Sequence, residues 1–447
     1  MKFLMILLCK LLAFAGKLLK RGSSLPGQIV LRICPDILSR ITLPEYVIAV
    51  TGSNGKTSTV EMIAAVLEEN GKKVVWNREG SNQIEGVTTL LLKNSTLSGK
   101  VKGDVVVIES DERYARHTFK YIKPTYFAIT NLYRDQLTRN VHPFWIYDII
   151  KDAVDLIPNA TLILNADDPI VSKFGYGRDR VRYFGMAKNA YSSDNSDALY
   201  NDCYYCPICK EKLSYDYFHY AHLGSYHCEK CGFSSPTAEY TVDNMDLEEG
   251  KISICGNEIN LAFKSRYNVY NLCAAFAICS IVGIPMEKSA ASLNSFIMKN
   301  GRVVRFKAGN NEGLLITSKH ENSTSYNQSL EYVAAVKNDF TLAIIVDSIS
   351  RKYYTSETSW LYDISFEKLE RSKAKRILLC GSYAHDLATR FEMTGIDQSK
   401  ILVTTDLDKM VGEMSKPTDD ELYVITCFSD KDKLFNRVTV LTPIMGK

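Results

Sequence analysis

The chain has 447 residues, long enough for roughly three domains at about 150 residues each. Hydrophobic residues make up 46% and charged residues 23%, which describes a globular protein with a sizeable core and argues against a disordered chain. A formal net charge of +3 is too small for nucleic acid to be the main partner. Of the twelve cysteines, five fall between Cys203 and Cys231 and the rest are scattered among apolar residues; that usage fits a reducing cytoplasm rather than a disulfide framework.

Residues Met1 to Leu19 are apolar but carry Lys2, Lys10 and Lys17. A signal peptide needs an uninterrupted apolar core before its cleavage site, and Lys10 interrupts the run. A stretch of about 18 uncharged apolar residues, the length of a spanning helix, is also missing. The segment reads as an amphipathic helix, either on a membrane face or packed on the protein, with an uncleaved membrane tether as a further alternative. Arg21-Gly22-Ser23-Ser24-Leu25-Pro26-Gly27 reads as a turn-rich linker before a short helical segment, so residues 1–45 form an N-terminal portion.

From residue 46 strand and helix patterns alternate. The strand candidates are 46–51, 73–76, 104–110, 125–131 and 160–165. The first, Val47-Ile48-Ala49-Val50, breaks into Thr51-Gly52-Ser53-Asn54-Gly55-Lys56-Thr57-Ser58, and a helical pattern begins at once. Strand, glycine-bounded turn and helix N-terminus together make a phosphate loop: glycines let the amides turn inward, and the helix dipole favours an anion. Lys56 is placed to reach the outer phosphates and the Thr57 hydroxyl to hold Mg²⁺. Val50 stands where the longer pattern has its first glycine, so the loop is the short GxxGKT form. Glu109 ends the apolar run Val105–Ile108; a carboxylate there suits Mg²⁺, with Asp111 and Glu112 as alternative holders. Asn131-Leu132-Tyr133-Arg134-Asp135-Gln136 is a dense polar cluster at another strand end, suited to positioning phosphate or substrate.

Cys206-x₂-Cys209 and Cys228-x₂-Cys231 are separated by eighteen residues, the spacing of a four-thiolate zinc ribbon. Cys203 offers an alternative first pair with Cys206, but Cys206-Pro207-Ile208-Cys209-Lys210 mirrors Cys228-Glu229-Lys230-Cys231-Gly232 as two knuckles. Four thiolates leave no open position, so the zinc is expected to be structural. His219, His222 and His227 read as packing or surface residues, and the neighbouring aromatics as a small ribbon core. Residues 239–263 read as β structure, followed by a helix from Asn268 and a second near 285–296. Asn300-Gly301-Arg302 reads as a hinge. A second strand series at 313–318, 341–347, 375–381 and 421–427 predicts a separate α/β domain. The fold class is α/β, with a central domain at 46–300, a ribbon inserted at about 203–233, and a C-terminal domain at 301–447.

These pieces resemble the Mur ligases. Thr51-Gly52-Ser53-Asn54-Gly55-Lys56-Thr57 is similar to their short phosphate loop, Asn268-x-x-Asn271 to their adenine-side asparagines, and Gly301-Arg302 to the arginine at their central-to-C-terminal junction. The inserted ribbon, Asn131-x-x-Arg134-Asp135-Gln136-Leu137 and Ser359-Trp360-Leu361-Tyr362-Asp363 resemble the MurT family, the synthetase subunits of lipid II isoglutaminyl synthases. The resemblance implies a central P-loop ATPase and a Rossmann-like C-terminal domain. It further implies ATP, Mg²⁺, structural Zn²⁺ and a heterodimer with a glutaminase of GatD type. ATP would phosphorylate the α-carboxylate of D-glutamate in the stem peptide of lipid II at the membrane surface, and ammonia from the partner would then form the amide. Gly52, Asn54, Gly55, Lys56, Thr57, Ser58, Asn268, Asn271 and Arg302 would bind nucleotide. Lys56 and Glu109 would act in catalysis, Thr57 and Glu109 would hold magnesium, and Glu357 would complete the partner's Cys–His site. Departures from the family pattern sit in the C-terminal half. Glu357 replaces an aspartate, Lys319-His320-Glu321-Asn322-Ser323 replaces Lys-Asn-Pro-x-Gly, and Val346-Asp347-Ser348 keeps only the aspartate of a third element. A Mur-like ligase without a glutaminase and a nucleotide-binding scaffold remain the alternative readings.

Overall fold

The computed structural model describes residues 1–18, 24–78, 82–135, 140, 142–261, 264–296, 303–319, 321–348 and 357–443. Arg302, expected at the domain junction, lies outside them, as do Gln136 and Leu137.

Helices α1 (Lys2–Leu18) and α2 (Leu25–Ile33) lead the chain. Met5, Ile6 and Cys9 of α1 are buried with Val30, Cys34, Leu91 and Leu92, so α1 is packed on the protein by one face. Leu25-Pro26-Gly27, expected in a linker, opens α2 instead. Pro26 sits in the first turn, where its missing N–H costs no helix bond. Gly27 is a close-approach glycine rather than a turn residue: a Cβ there would lie 1.9 Å from the Glu85 carbonyl oxygen.

Six parallel strands form the heart of the central domain: β1 (Tyr46–Thr51), β2 (Val74–Trp76), β3 (Val105–Glu109), β4 (Tyr126–Ile129), β5 (Thr161–Asn165) and β6 (Val181–Met186), in the spatial order 6-5-4-1-3-2. β3 is buried along its whole length, because helices cover both faces of a parallel sheet and leave no face for polar residues. Helix α3 (Lys56–Glu69) returns from β1, and α4 (Ile84–Lys93) supports the N-terminal helices. The insertion contributes the hairpin β7 (Ser214–Tyr220) and β8 (Leu223–His227). The chain then rejoins the sheet as β9 (Tyr240–Asp246), β10 (Lys251–Ile254) and β11 (Asn257–Asn260), making nine strands.

The C-terminal sheet has seven strands: β12 (Val303–Ala308), β13 (Asn311–Ser318), β14 (Phe340–Ile345), β15 (Ala374–Cys380), β16 (Ile401–Thr404), β17 (Glu421–Cys427) and β18 (Thr439–Pro443), in the order 16-15-14-17-13-12-18. The four strands expected from sequence are the inner ones. The sequence reading omitted β12, β16 and β18, which lie towards or at the edges. β12 and β16 are mostly half-exposed and so lack a continuous apolar run.

Candidate active site

β1 is the pivot of its sheet, with β4 on one side and β3 on the other. Ligands in open α/β sheets bind at such a point, beyond the carboxyl ends of the strands. The loop after β1 is built for close approach. Gly52 and Gly55 have φ of 140° and 84°, values that favour glycine. A Cβ on Gly55 would sit 1.9 Å from Asn271 Oδ1. The neighbouring strand end holds the loop: Asn54 N–H donates to Asn131 Oδ1 at 2.8 Å, Asn131 Nδ2 donates to the Asn54 carbonyl at 3.1 Å, and Thr130 Oγ1 donates to the same carbonyl at 2.9 Å. Tyr133 N–H donates to Ser53 Oγ at 3.0 Å. The polar cluster at Asn131–Asp135 is therefore first a splint for the phosphate loop.

Lys56 Nζ donates to the Gly52 carbonyl and, at 2.6 Å, to Glu112 Oε1. Burial pulls its pKa down, but Glu112, Glu109 and Asp135 more than offset this and hold it above its ordinary value. Lys56 is thus a permanent cation beside the loop amides. Thr57 Oγ1 donates to Glu109 Oε2 at 2.9 Å, and Asn82 Nδ2 to Glu109 Oε1 at 3.2 Å. The geometry separates the three acids: Glu109 faces Thr57, Glu112 faces Lys56, and Asp111 Oδ1 accepts the N–H of Arg113 at 3.0 Å. Burial raises the pKa of Glu109, with Lys56 and the bonds from Thr57 and Asn82 acting against it. A divalent cation between Thr57 and Glu109 would suit this pairing of a hydroxyl with a buried carboxylate. Asn82 carried no motif in the sequence.

Asn268 and Asn271 open the buried helix Arg266–Ile281. Asn271 Nδ2 is buried with no hydrogen-bond partner among the described residues, and its side chain lies against Gly55. An unpartnered buried amide beside a phosphate loop fits a nucleotide as its missing acceptor. Ser58 lies in the first turn of α3, half-buried.

The C-terminal domain reaches into the same place. Asn322 caps the helix Ser323–Ala334, accepting the Ser325 N–H at 2.7 Å. Its amide exchanges two hydrogen bonds with that of Asn54, at 3.2 and 3.1 Å, and donates to Asp135 Oδ1 at 3.0 Å. Lys319 Nζ pairs with Asp135 and lies 3.3 Å from the Ser53 carbonyl. Sequence reasoning named Lys319 and Asn322 only as remnants of a family element. The available signal was local, an Asn before Ser-Thr-Ser at a helix start. Beside them a polar cavity is lined by Arg134, Asp202, Tyr220, Asn327, Glu331 and Lys368. Arg134 Nε donates to Asp202 at 2.6 Å. Arg266 joins Asp197 at 2.8 Å to Glu331 at 2.7 Å and donates to the His219 carbonyl, linking the ribbon insertion, the segment before it, the helix Arg266–Ile281 and the C-terminal domain.

The four ribbon sulfurs lie within 4.8 Å of one another, with Cys206–Cys231 at 3.6 Å and Cys209–Cys228 at 3.5 Å. A tetrahedron with Zn–S bonds of about 2.3 Å has S–S edges of about 3.8 Å, so this donor set fits zinc. The two knuckles are geometric twins. Lys210 and Gly232 have φ of 65° and 72°. Their N–H groups donate to the Cys206 and Cys228 carbonyls at 3.0 and 2.9 Å. Cys203 is not in the cluster. His219 and His222 lie away from the sulfurs, against Asp167 and Asp168.

Glu357 stands apart from the loop. Its Oε1 accepts the Ser359 N–H at 2.7 Å, and the Ser359 hydroxyl, together with this N–H, lowers the pKa of the exposed carboxylate. The following Trp360 is buried against Tyr326, so the exposed acid is tethered to a fixed turn.

The Mur ligase middle domain family matches residues 50–227, and the MurT ligase C-terminal family matches residues 320–430. The chain is 30% identical over 395 residues, 87% of both chains, to the lipid II isoglutaminyl synthase (glutamine-hydrolyzing) subunit MurT of Staphylococcus aureus strain COL. This chain belongs to the MurT family. It is also 30% identical over 417 residues to the MurT subunit of Streptococcus pneumoniae strain R6, spanning 92% of this chain and 91% of that one. Among solved structures, a pseudomurein peptide ligase type C from Methanothermus fervidus superposes with a TM-score of 0.67 at 22% identity, covering 90% of this chain and 80% of that one; that likeness concerns the fold. The MurT match at 320–430 takes in Lys319's neighbour Asn322 as well as Glu357, so the departures in this half lie within a recognisable family domain.

Proposed function

We propose that this chain is the synthetase subunit of a glutamine-dependent amidotransferase that converts the α-carboxylate of D-glutamate in the lipid II stem peptide to an amide. The observation that carries this reading is the meeting of a phosphate-loop cation, Lys56, with the Thr57–Glu109 pair, inside a chain of the MurT family. Lys56 and the loop amides orient the transferring phosphoryl group and neutralise its charge. Mg²⁺ held by Thr57 and Glu109 would screen the phosphate oxygens. Asn271 would take the adenine side of the nucleotide, as the family resemblance implies. A carboxylate oxygen of the acceptor attacks the γ-phosphorus, ADP leaves, and an acyl phosphate forms. Ammonia then attacks the acyl carbon, phosphate leaves with the bonding pair, and the nitrogen sheds a proton. Four thiolates around zinc would fasten the ribbon without joining in the chemistry.

The partner reading rests on Glu357, an exposed carboxylate on a fixed turn. The test is amidation of lipid II with ATP and glutamine, using the chain in complex with its glutaminase. No amide from a folded, ATP-binding complex overturns the reading. Glu357→Gln should abolish glutamine-driven turnover by about a hundredfold or more while ammonia-driven turnover survives, because a catalytic carboxylate tolerates little misplacement. Equal loss of both would make Glu357 structural.

A further inference from the structure

Helix α1 has one face without a partner among the described residues. Met5, Ile6 and Cys9 face the protein, while Met1, Phe3, Leu4, Leu7, Leu11 and Phe14 are 37% to 72% exposed. Their spacing places them along one side of the helix. The helix is firmly seated. Lys10 Nζ donates to the Lys93 carbonyl at 2.7 Å, and the Lys2 stem lies over Gly99. The outward apolar stripe is therefore presented, not trailing. Contiguous apolar surface of this kind marks an interaction site.

Charge selects the occupant. The first 35 residues hold Lys2, Lys10, Lys17, Lys20, Arg21 and Arg32 and no Asp or Glu. These six charges exceed the chain's net +3, so the rest of the protein is net acidic. Lys93, Lys100 and Lys102 stand exposed beside α1, adding to the same sign. A second copy would set two such basic faces against each other. An anionic bilayer offers acyl chains to the stripe and phosphates to the lysines. Among the described residues no helix is long and apolar enough to cross a membrane, which leaves the interfacial arrangement.

We propose that α1 lies in the surface of an anionic phospholipid bilayer, with Met1, Phe3, Leu4, Leu7, Leu11 and Phe14 at the acyl boundary. Its use rests on the functional reading above, because a lipid-linked acceptor would be met without leaving the membrane. The binding itself needs no acceptor.

The experiment is flotation of the full chain, in complex with its glutaminase, on phosphatidylglycerol–cardiolipin vesicles and on phosphatidylcholine vesicles. Binding should favour the anionic vesicles by about tenfold or more and weaken with salt. The double variant Leu11→Glu, Phe14→Glu changes only exposed positions, so it should keep its melting temperature and ATP affinity while losing about tenfold or more in vesicle binding. Lys17→Gln with Lys20→Gln should lose severalfold and flatten the salt dependence. Amidation of a vesicle-embedded acceptor should fall in the first variant while turnover of a detergent-dispersed acceptor holds. Equal vesicle binding by wild type and the Glu variant overturns the proposal. So does a wild-type dimer that the variant dissociates without any vesicle binding, or loss of the glutaminase from the variant. Normal vesicle binding with no amidation of any acceptor would instead sink the functional reading and leave the membrane face standing.

Discussion

Asp167 and His219 fasten the ribbon insertion to the end of β5, and their ionisation should cancel in the stability of the protein. Asp167 is buried, accepts Tyr270 Oη–H at 2.6 Å and Met186 N–H at 2.8 Å, and is pushed up to about 7 by burial. His219 Nε2 donates to the Met186 carbonyl at 3.1 Å, Ser192 Oγ lies 3.2 Å from Nδ1, and burial pulls the ring down to about 4. His219 Nε2 is 3.9 Å from Asp167, the range of an ion pair, yet both shifts oppose charge, so the pair is neutral between about pH 4 and 7. The raised Asp167 contributes stability present below its unfolded pKa of about 3.9 and lost as pH rises through about 7. The depressed His219 contributes stability present above about 6.5 and lost as pH falls through about 4. Over pH 4.5–6.5 the two slopes are opposite and near one proton each, so wild type gains nothing from the pair on moving in either direction. Asp167→Asn should expose the histidine slope and lose about 2 kcal/mol relative to wild type as pH falls across that range. His219→Gln should lose about 2 kcal/mol as pH rises. Chemical denaturation of the three proteins at pH 4.5, 5.5 and 6.5 reads this as two difference curves of opposite sign. Parallel, pH-independent offsets for both variants would refute the neutral pair.

Asp135, buried, and Lys319, about a quarter exposed, should show a coupling of about 1–2 kcal/mol in a double-mutant cycle of Asp135→Ala and Lys319→Ala, less than a fully buried pair because water reaches the lysine. Additive single-variant losses would remove the contact from the account of domain docking. Gly55→Ala should weaken ATP binding by about a hundredfold in calorimetry, since its Cβ would collide with Asn271 Oδ1 and φ is 84°. Affinity within about threefold of wild type would show that the loop yields. Elemental analysis should find one zinc per chain. Chelation or Cys228→Ser should lower the melting temperature, with no selective change in kcat for the population that remains folded. A zinc-free protein with the same melting temperature would deny the ribbon its role.

The parts legible in the sequence were those whose physics is local. An apolar run broken by Gly52 and Gly55 can only turn one way before a helix, and Glu109 ends a run that must be a buried strand. The twin knuckles at Cys206 and Cys228 announce themselves by repetition, and the structure extends the likeness to the left-handed Lys210 and Gly232. What escaped was set by contacts distant in sequence. Asn82 was one such case, since nothing near it says that a strand end will bring Glu109 to its amide. Asp135 meets Lys319 and Asn322 across more than 180 residues, and no periodicity encodes such a meeting. Pro26-Gly27 read as a turn by composition, because the carbonyl of Glu85 that demands the glycine belongs to another helix. The outer strands β12 and β16 failed for a third reason, half-exposure, which dilutes their pattern to that of a loop.

The contact missed from sequence bears on how the C-terminal departures are understood. The phosphate loop is gripped on one side by the strand end at Asn131 and on the other by Lys319 and Asn322. Asn54 therefore belongs both to the loop that would meet phosphate and to the surface on which the C-terminal domain docks. Any change in the loop on binding nucleotide is felt at the Asn54–Asn322 amide pair, and any change in the C-terminal domain is felt at the loop. By linkage the coupling is reciprocal: whatever factor ATP binding applies to this docking of the C-terminal domain, the docking applies to ATP binding. Glu357 sits on that same C-terminal domain, with Trp360 packed on Tyr326 of the helix that Asn322 caps. The proposed partner-facing acid and the phosphate loop thus share one rigid connector, the helix Ser323–Ala334. Substitutions that loosened its cap would disturb both at once, whereas a change confined to the exposed acid, aspartate to glutamate, leaves the connector untouched.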